Sequence, residues 1–146
     1  MRIIIGSDHG GYALKEVVKQ HLIEQGHEVF DQGTHNGETS VDYPDYGRPV
    51  ADAVVAGEYN LGIVICGTGI GISLAANKVK GARAALCTNG YMARMARAHN
   101  NANILAMGGR VIGPDLARDI VDVFLSTGFD GGRHARRVGK IMEIEA

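Results

Sequence analysis

The sequence contains no tryptophan and only two cysteines, and no apolar run approaches the roughly 20 residues that cross a membrane. The cysteines, Cys66 and Cys87, lie in separate apolar segments without CxxC spacing. A disulfide framework is therefore not expected, and a reducing cytoplasm fits. The chain starts on the strand-like run Ile3, Ile4 and Ile5, so we expect no signal peptide.

A strong excess of one charge is also absent, because 15 basic residues face 16 acidic ones and the net charge is −1. This balance predicts neither nucleic acid nor a membrane as a partner. No set of His, Cys, Asp and Glu has the spacing of metal ligands, and we expect no metal and no cofactor. The Lys-Ser/Thr of a P-loop and the GxSxG elbow are missing as well. The length of 146 residues suits one domain spanning 1–146.

Short β-rich runs alternate with helical patterns along the chain. Strands are predicted at 2–6, 28–31, 61–66, 83–87 and 103–107, with helices between them and a last helix at 135–145. This alternation is typical of βαβ units in a parallel sheet with helices on both faces. We therefore predict an α/β fold, a Rossmann-like three-layer α/β/α sandwich whose five-stranded parallel sheet has the order 2-1-3-4-5.

In such a sheet the ligand lies beyond the carboxyl ends of the strands where the strand order switches, here strands one and three. Cys66 ends the third strand, before a glycine loop and a helix start. That position favours the thiolate, so Cys66 is a candidate base or nucleophile. A free cysteine is equally often a small buried hydrophobe, and position alone leaves both interpretations open. Cys87 lacks the glycine loop and is interpreted as structural.

The loop after Cys66 carries Gly67, Gly69 and Gly71 at alternate positions. Glycines allow a sharp turn that aims several N–H groups at one anion, either a phosphate or an enolate oxygen. Close packing of helix on strand is the alternative. The GxGxG spacing after the third strand differs from the dinucleotide fingerprint.

Asp8 and His9 follow the first strand and are expected to contact a ligand, although Asp8 could simply cap the next helix. His99 and Asn100 follow the fourth helix. A histidine can shuttle protons near neutral pH, but the residues by themselves favour a helix C-cap.

Arg133 and Arg137 are four residues apart, so on a helix they share a face. Two guanidinium groups on one face suit a phosphate dianion, and a solvated basic turn is the alternative. Arg110, just after the fifth strand, is a further candidate cation.

Together these segments resemble the ribose-5-phosphate isomerase B family over essentially the whole chain, in order and with matching spacing. The segments are GSDHGG at 6–11, DYPDY at 42–46, ICGTGIGIS at 65–73, AANK at 75–78, HN at 99–100 with Asn103, and GGRH at 131–134 with Arg137.

The resemblance implies isomerisation of ribose 5-phosphate and ribulose 5-phosphate without a metal. By this resemblance Cys66 is the base that moves a proton between C1 and C2, and Thr68 with the N–H groups of the glycine loop holds the enediolate. His99 opens the sugar ring with Asp8 nearby. Sugar hydroxyls are assigned to Tyr43 and Asn100, and the phosphate to His9, Arg110, Arg133 and Arg137. Ile72 stands where one branch of the family has a glutamate base, so this chain resembles the cysteine branch.

The family also implies a homodimer or a dimer of dimers, with the C-terminal helix packed on the partner. Parallel strands place Asp8 and Cys66 at the carboxyl edge of the sheet, whereas His99 precedes strand five at the opposite edge. A five-residue strand spans roughly 17 Å, which a histidine side chain does not cross. If His99 is catalytic, a second subunit must supply it, and each dimer has two shared sites.

Two other functions are compatible with the sequence. One is an isomerase for a six-carbon sugar phosphate, such as allose 6-phosphate or galactose 6-phosphate, since one extra carbon changes discrimination by only about 1–3 kcal/mol. The galactose-6-phosphate isomerase subunits match less well, because this chain keeps both His9 and His99. The other is a non-catalytic nucleotide-binding module on the same fold.

Overall fold

The computed structural model describes residues 1–145, which form five strands and six α-helices around one sheet. The strands are β1 (Arg2–Ser7), β2 (Glu28–Asp31), β3 (Leu61–Cys66), β4 (Ala84–Leu86) and β5 (Ile104–Gly108). The helices are α1 (Tyr12–Glu24), α2 (Pro44–Val55), α3 (Ile70–Ala76), α4 (Gly90–Ala98), α5 (Pro114–Ser126) and α6 (Arg133–Glu143). A 3-10 turn (His9–Gly11) precedes α1. Among the described residues no helix is long and apolar enough to cross a membrane.

Local sequence explains where several helices begin. Pro44 and Pro114 occupy the first turns of α2 and α5, where a proline needs no N–H partner and its φ angle already suits a helix. The Oδ1 atom of Asn89 accepts a hydrogen bond from the N–H of Met92 at 2.8 Å and caps α4. These residues fix the position at which each helix begins, and apolar contacts with the sheet then stabilise the helix.

All strand pairs are parallel, which confirms the predicted α/β sandwich, and the sheet order is β2-β1-β3-β5-β4. The last two strands are therefore exchanged relative to the expected order 2-1-3-4-5. Every residue of β5 is buried, and Ile104, Leu105 and Ala106 pair with strands on both sides, whereas β4 has three half-buried residues and forms the edge. A short strand suits an edge, because it exposes few unpaired backbone groups.

The exchange of β4 and β5 decides on which face α4 lies. Crossovers between parallel strands are right-handed, so the return from β4 to β5 places α4 on the same face as α1 and α5. Its buried residues Ala93 and Ala96 join the hydrophobic core that α1 and α5 form on that face. Helices α2 and α3 cover the other face through Val50, Val54 and Ile72.

A buried ion pair joins α1 to the end of β2. Lys15 has no solvent exposure, and its Nζ lies 2.7 Å from both carboxylate oxygens of Asp31. Asp31 also accepts hydrogen bonds from Lys19 and from the N–H of Gly33, both at 2.9 Å. Burial alone would raise the pKa of Asp31, but these hydrogen bonds outweigh it and hold the pKa below its usual value. The pair anchors the chain that leads from β2 towards the carboxyl edge.

Replacing Asp31 with leucine is expected to destabilise the protein by about 3–5 kcal/mol, because the buried ammonium of Lys15 loses its closer carboxylate and keeps only the hydrogen bond to Glu16 at 3.2 Å. Adding Lys15→Met to Asp31→Leu should recover most of that loss, since both charges are then gone. Urea unfolding followed by circular dichroism measures both effects.

Asp52→Leu is the matched control, because the ion pair of Asp52 with Arg48 lies at the surface with the Asp52 side chain 55% exposed. Its effect on the free energy of unfolding should stay within about 0.5 kcal/mol.

The low pKa of Asp31 in the folded state stabilises the protein at pH values above the ordinary carboxyl pKa. This stabilisation is lost as the pH falls through the pKa of the folded state. The gap between parent and Asp31→Leu should therefore narrow in acid. A double variant as unstable as the single one would rule out the Lys15 charge as the cause.

Candidate active site

Asp8 and Cys66 end the neighbouring strands β1 and β3 at the carboxyl edge. The N–H of Asp8 donates to the carbonyl oxygen of Ile65 at 3.3 Å, which holds the two strand ends together. Asp8 is buried, and its Oδ1 accepts a hydrogen bond from the N–H of Gly11 at 3.0 Å. The carboxylate thus caps the 3-10 turn, as the alternative interpretation of the sequence expected, and does so at the switch point of the sheet.

The Cys66 thiol faces the backbone of the glycine loop. Its Sγ accepts a hydrogen bond from the N–H of Gly69 at 3.1 Å, and the residue is only 4% exposed. Gly69 has a φ of +81°, and a Cβ there would lie 2.5 Å from Leu86 and 2.8 Å from the backbone of Met107. Only glycine allows this approach. A backbone N–H aimed at sulfur stabilises negative charge on it, which suits a base or a nucleophile.

The side chain of Thr68 lies on the exposed side of the same loop. Its Oγ1 accepts a hydrogen bond from the N–H of Ile70 at 3.2 Å, so the hydroxyl stays close to the backbone at the start of α3. The hydroxyl proton remains available to an oxyanion, because a hydroxyl can donate while it accepts.

The side chains of Tyr43 and Arg110 pack against this loop. A Cβ on Gly71 would lie 2.7 Å from the Tyr43 ring, and a Cβ on Gly67 would lie 3.1 Å from the Arg110 guanidinium. The missing side chains at these glycines therefore allow the ring and the cation to approach the loop. The N–H of Arg110 also donates to the carbonyl oxygen of Gly67 at 2.9 Å.

His9 faces the loop that leads from β2 to α2. Its Nδ1 accepts a hydrogen bond from the N–H of Val41 at 3.2 Å. In the neutral imidazole the proton then resides on Nε2, which is free to donate. The carboxyl edge thus brings together Asp8, His9, Tyr43, Cys66, Thr68, Arg110 and the three loop glycines.

The other predicted residues lie at the opposite edge of the sheet. His99 follows the last residue of α4, and its N–H donates to the carbonyl oxygen of Met95 at 2.9 Å. Asn100 comes next and is exposed before β5 begins. Arg133 and Arg137 both lie within α6, four residues apart and thus on one face of the helix, and both are exposed. One subunit does not bring these side chains to Cys66, because the strands separate the two edges.

Two residues for which no role was predicted, Asp130 and His134, lie beside His99. The rings of His99 and His134 stack with centroids 4.0 Å apart and an angle of 6° between their planes. Asp130 Oδ2 lies 3.9 Å from His99 Nε2. Partial burial, then the charges of His99 and Arg133, lower the pKa of His134. Three possible metal ligands thus come within 4.8 Å of one another, although no spacing along the chain indicated them.

Cys87 occupies a different environment from Cys66. It is 1% exposed, and burial raises the pKa of its thiol to about 11. The sulfur lies in the core formed with α4 and α5, away from the glycine loop. This supports the structural role that the sequence indicated.

Comparison with known proteins identifies the same family along the whole chain. Residues 3–141 match the family described as Ribose/Galactose Isomerase. Ribose-5-phosphate isomerase B of Escherichia coli is 50% identical over 144 residues, which cover 99% of this chain and 96% of that protein.

Solved structures agree with the sequence match. Ribose-5-phosphate isomerase B of Clostridium thermocellum superposes with a TM-score of 0.97 at 66% identity, over 99% of this chain and 97% of that one. The Mycoplasma genitalium ribose-5-phosphate isomerase B, solved with bound ribulose-5-phosphate, gives a TM-score of 0.95 at 44% identity and covers 99% and 95% of the two chains.

Iodoacetamide at pH 8 is expected to alkylate Cys66 and to leave Cys87 unmodified in the folded protein. A thiol with a pKa of about 11 is only about 0.1% ionised at that pH, and the thiolate is the reactive form. Peptide mass mapping should find one modified cysteine per chain, and two after unfolding in guanidinium. Cys87→Ala should still take up one equivalent and Cys66→Ala none. Equal labelling of both cysteines would contradict the difference between their environments.

Proposed function

Since this chain belongs to the ribose/galactose isomerase family, we propose that it is an aldose–ketose isomerase that interconverts ribose 5-phosphate and ribulose 5-phosphate. The observation that carries this function is the Cys66 thiol held against the N–H of Gly69 at the switch point of the sheet. The relative with bound ribulose 5-phosphate supports the substrate. The reaction needs a base, an oxyanion site, a ring-opening acid and a phosphate anchor, and the chain has a candidate for each.

The proton transfer is assigned to Cys66. Its thiolate removes the proton from C2 of the open-chain aldose, and the electrons of that bond move towards C1 so that O1 becomes negatively charged. In the resulting 1,2-enediolate the hydroxyl proton moves from O2 to O1. The Cys66 thiol then returns its proton to C1, the C2–O2 bond becomes the carbonyl of the ketose, and the thiolate is restored. A proton on carbon is weakly acidic, so stabilising the enediolate is the largest task. The N–H groups of Gly67 to Gly71 and the Thr68 hydroxyl serve it, and one such donor contributes about 2.7–4 kcal/mol.

Ring opening precedes that step and is assigned to His99 with Asp8. An imidazole transfers protons readily near neutral pH, because its ordinary pKa lies close to 6.5. His99 must come from a second subunit, since it lies at the edge of the sheet opposite Asp8 and Cys66. Asn100 of the same second subunit and Tyr43 of the first then bind sugar hydroxyls.

The phosphate is assigned to cations from both edges. His9 and Arg110 lie at the carboxyl edge, and the Nε2 proton of His9 can donate to a phosphate oxygen. Arg133 and Arg137 come from α6 of the second subunit and offer two guanidinium groups along one helical face. A dianion held by both chains fixes the sugar between Cys66 and His99.

The proposed assembly is a homodimer with two shared sites, on which a tetramer could be built. Its support is a set of exposed apolar side chains, which a partner would cover. These are Ile70 and Leu74 on α3, Tyr91 and Met92 on α4, and Ile141 and Ile144 at the end of α6. Val138 is the one buried residue of α6, so this helix has little contact with its own subunit and is proposed to pack on the partner.

A cytoplasmic location and a single domain over residues 1–146 belong to the same proposal. Both cysteines are buried and free, which suits a reducing compartment. The proposed substrate is a phosphorylated sugar, which carries charge and does not cross membranes unaided.

Cys66→Ala is expected to lower kcat for ribose 5-phosphate at least about a hundredfold, within the usual range for loss of an acid–base group. The matched variant Cys87→Ala removes the other buried thiol and should keep near-parental turnover. The assay follows ribulose 5-phosphate formation, with circular dichroism to verify folding. The parent should also prefer ribose 5-phosphate to allose 6-phosphate in kcat/KM. Full turnover by Cys66→Ala would remove this thiol from the mechanism, and a preference for the six-carbon sugar would change the substrate.

Mixing Cys66→Ala with His99→Asn should restore activity, because each mixed dimer then contains one site with both parental residues. Random pairing makes about half of the dimers mixed, and one of their two sites is intact, so roughly a quarter of parental activity is expected. Subunit exchange is verified by mass spectrometry of isotope-labelled chains. His35→Asn replaces an exposed histidine in the loop between β2 and α2 to which no role is assigned, so it serves as the control for a histidine replacement and should stay active. An inactive mixture after proven exchange would show that His99 acts within its own chain or not at all.

A further inference from the structure

We propose that His99, Asp130 and His134 form a binding site for a divalent transition metal such as Zn²⁺, and that the bound ion inhibits the enzyme. The metal site rests on these three residues alone. The inhibition rests in addition on the role proposed for His99 in ring opening. The ion is a regulator or inhibitor of the site and takes no part in the isomerisation.

Three separate elements converge to build the cluster. His99 lies at the end of α4, Asp130 lies in the connection between α5 and α6, and His134 lies in the first turn of α6. The N–H of Asp130 donates to the carbonyl oxygen of Ala98 at 3.0 Å, which ties the connection to the end of α4. The backbone therefore brings the three residues to one place, at the end of α4.

The distances are close to those that a metal requires. One ligand atom from each residue lies within 4.8 Å of the others, and His99 Nε2 is 3.9 Å from Asp130 Oδ2. Bonds of about 2.0–2.2 Å at tetrahedral angles separate ligand atoms by about 3.3–3.6 Å. Shifts of roughly an ångström close the site. The side chains of His99 and Asp130 are 39% and 61% exposed, so they have room to make these shifts.

The stacked imidazoles must rotate for the ion to bind. A metal lies in the plane of each ring that ligates it, whereas the two rings are now parallel and 4.0 Å apart. Coordination therefore replaces the stacking contact. The lowered pKa of His134 helps, because a neutral imidazole has a lone pair to offer at neutral pH.

The donor set selects the type of metal. Two imidazoles and one carboxylate suit Zn²⁺, Co²⁺, Ni²⁺ and Cu²⁺ and leave open positions for water. Mg²⁺ and Ca²⁺ prefer several oxygen ligands, and this cluster has one carboxylate. Arg133 and Arg137 lie close enough to lower the pKa of His134 and also oppose a cation. The affinity for metal therefore depends strongly on the negative charge of Asp130.

A bound ion prevents His99 from transferring protons, because the nitrogen lone pair that would accept the proton is occupied. It also occupies the place beside Asn100 and Arg133 to which the sugar phosphate is assigned. Substrate and metal should therefore compete.

The test is a Co²⁺ titration of the EDTA-treated protein, followed by visible absorption, with Zn²⁺ added last to displace the cobalt. We expect bands that saturate at one ion per chain. Asp130→Asn should weaken Co²⁺ binding at least about tenfold, in line with the loss of a metal ligand. The control Asp115→Asn removes a fully exposed carboxylate on α5 and should bind cobalt like the parent. Absence of the bands, or bands unchanged in Asp130→Asn, would overturn the site. Bands lost in Cys66→Ala instead would assign the ion to the thiol and would also overturn it.

The inhibition is measured on ribose 5-phosphate with the same proteins. Zn²⁺ should inhibit the parent, EDTA should restore it, and Asp130→Asn should need at least about ten times more Zn²⁺ for the same loss. Zinc that displaces cobalt without slowing the parent would overturn the inhibition. A parent with no isomerase activity would count against the proposed function, and the cobalt titration would still decide the metal site.

Discussion

All five strands run in one direction, and this constraint decides where every functional side chain lies. Each segment that follows a strand starts at the carboxyl edge, and each segment that follows a covering helix starts at the amino edge. Asp8 and Cys66 belong to the first class and His99 to the second. Helix α6 begins at the amino edge as well, because α5 has returned the chain there. A single subunit of this topology cannot unite the two groups, and the proposed dimer follows from that.

The part of the proposed site at the carboxyl edge depends on glycines, which have no side chain. Side chains at positions 67, 69 and 71 would collide with Arg110, with the backbone of β5 and with Tyr43. Their absence allows the loop to lie against the sheet, and the N–H of Gly69 thereby reaches the sulfur of Cys66. The ion pair of Lys15 with Asp31 stabilises the same edge of the sheet, because it anchors the segment that follows β2.

The amino half is organised by side chains that pack on one another. The ring of His99 stacks on the ring of His134, and the carboxylate of Asp130 lies beside the ring of His99. This arrangement keeps His99 at the surface, where a neighbouring subunit can reach it. The exposed nitrogen that suits His99 for proton transfer in the proposed mechanism also suits it for a metal. One cluster therefore carries both the proposed catalytic role and the proposed inhibition.

The secondary structure and the residues at each strand end could be predicted from the order of residues along the chain. Apolar runs predicted the five strands to within one or two residues, and the position of Cys66 before a glycine loop followed from the chain order alone. These features are local, since each depends on residues a few positions apart. The exchange of β4 and β5 was not predictable in this way, because both are short apolar runs and burial on two sides is a property of the assembled sheet. The meeting of His99 with Asp130 and His134 likewise depends on how the end of α4 lies beside the start of α6 in space. Periodicity describes one element at a time, whereas pairing order and side-chain clusters depend on the packing of all of them.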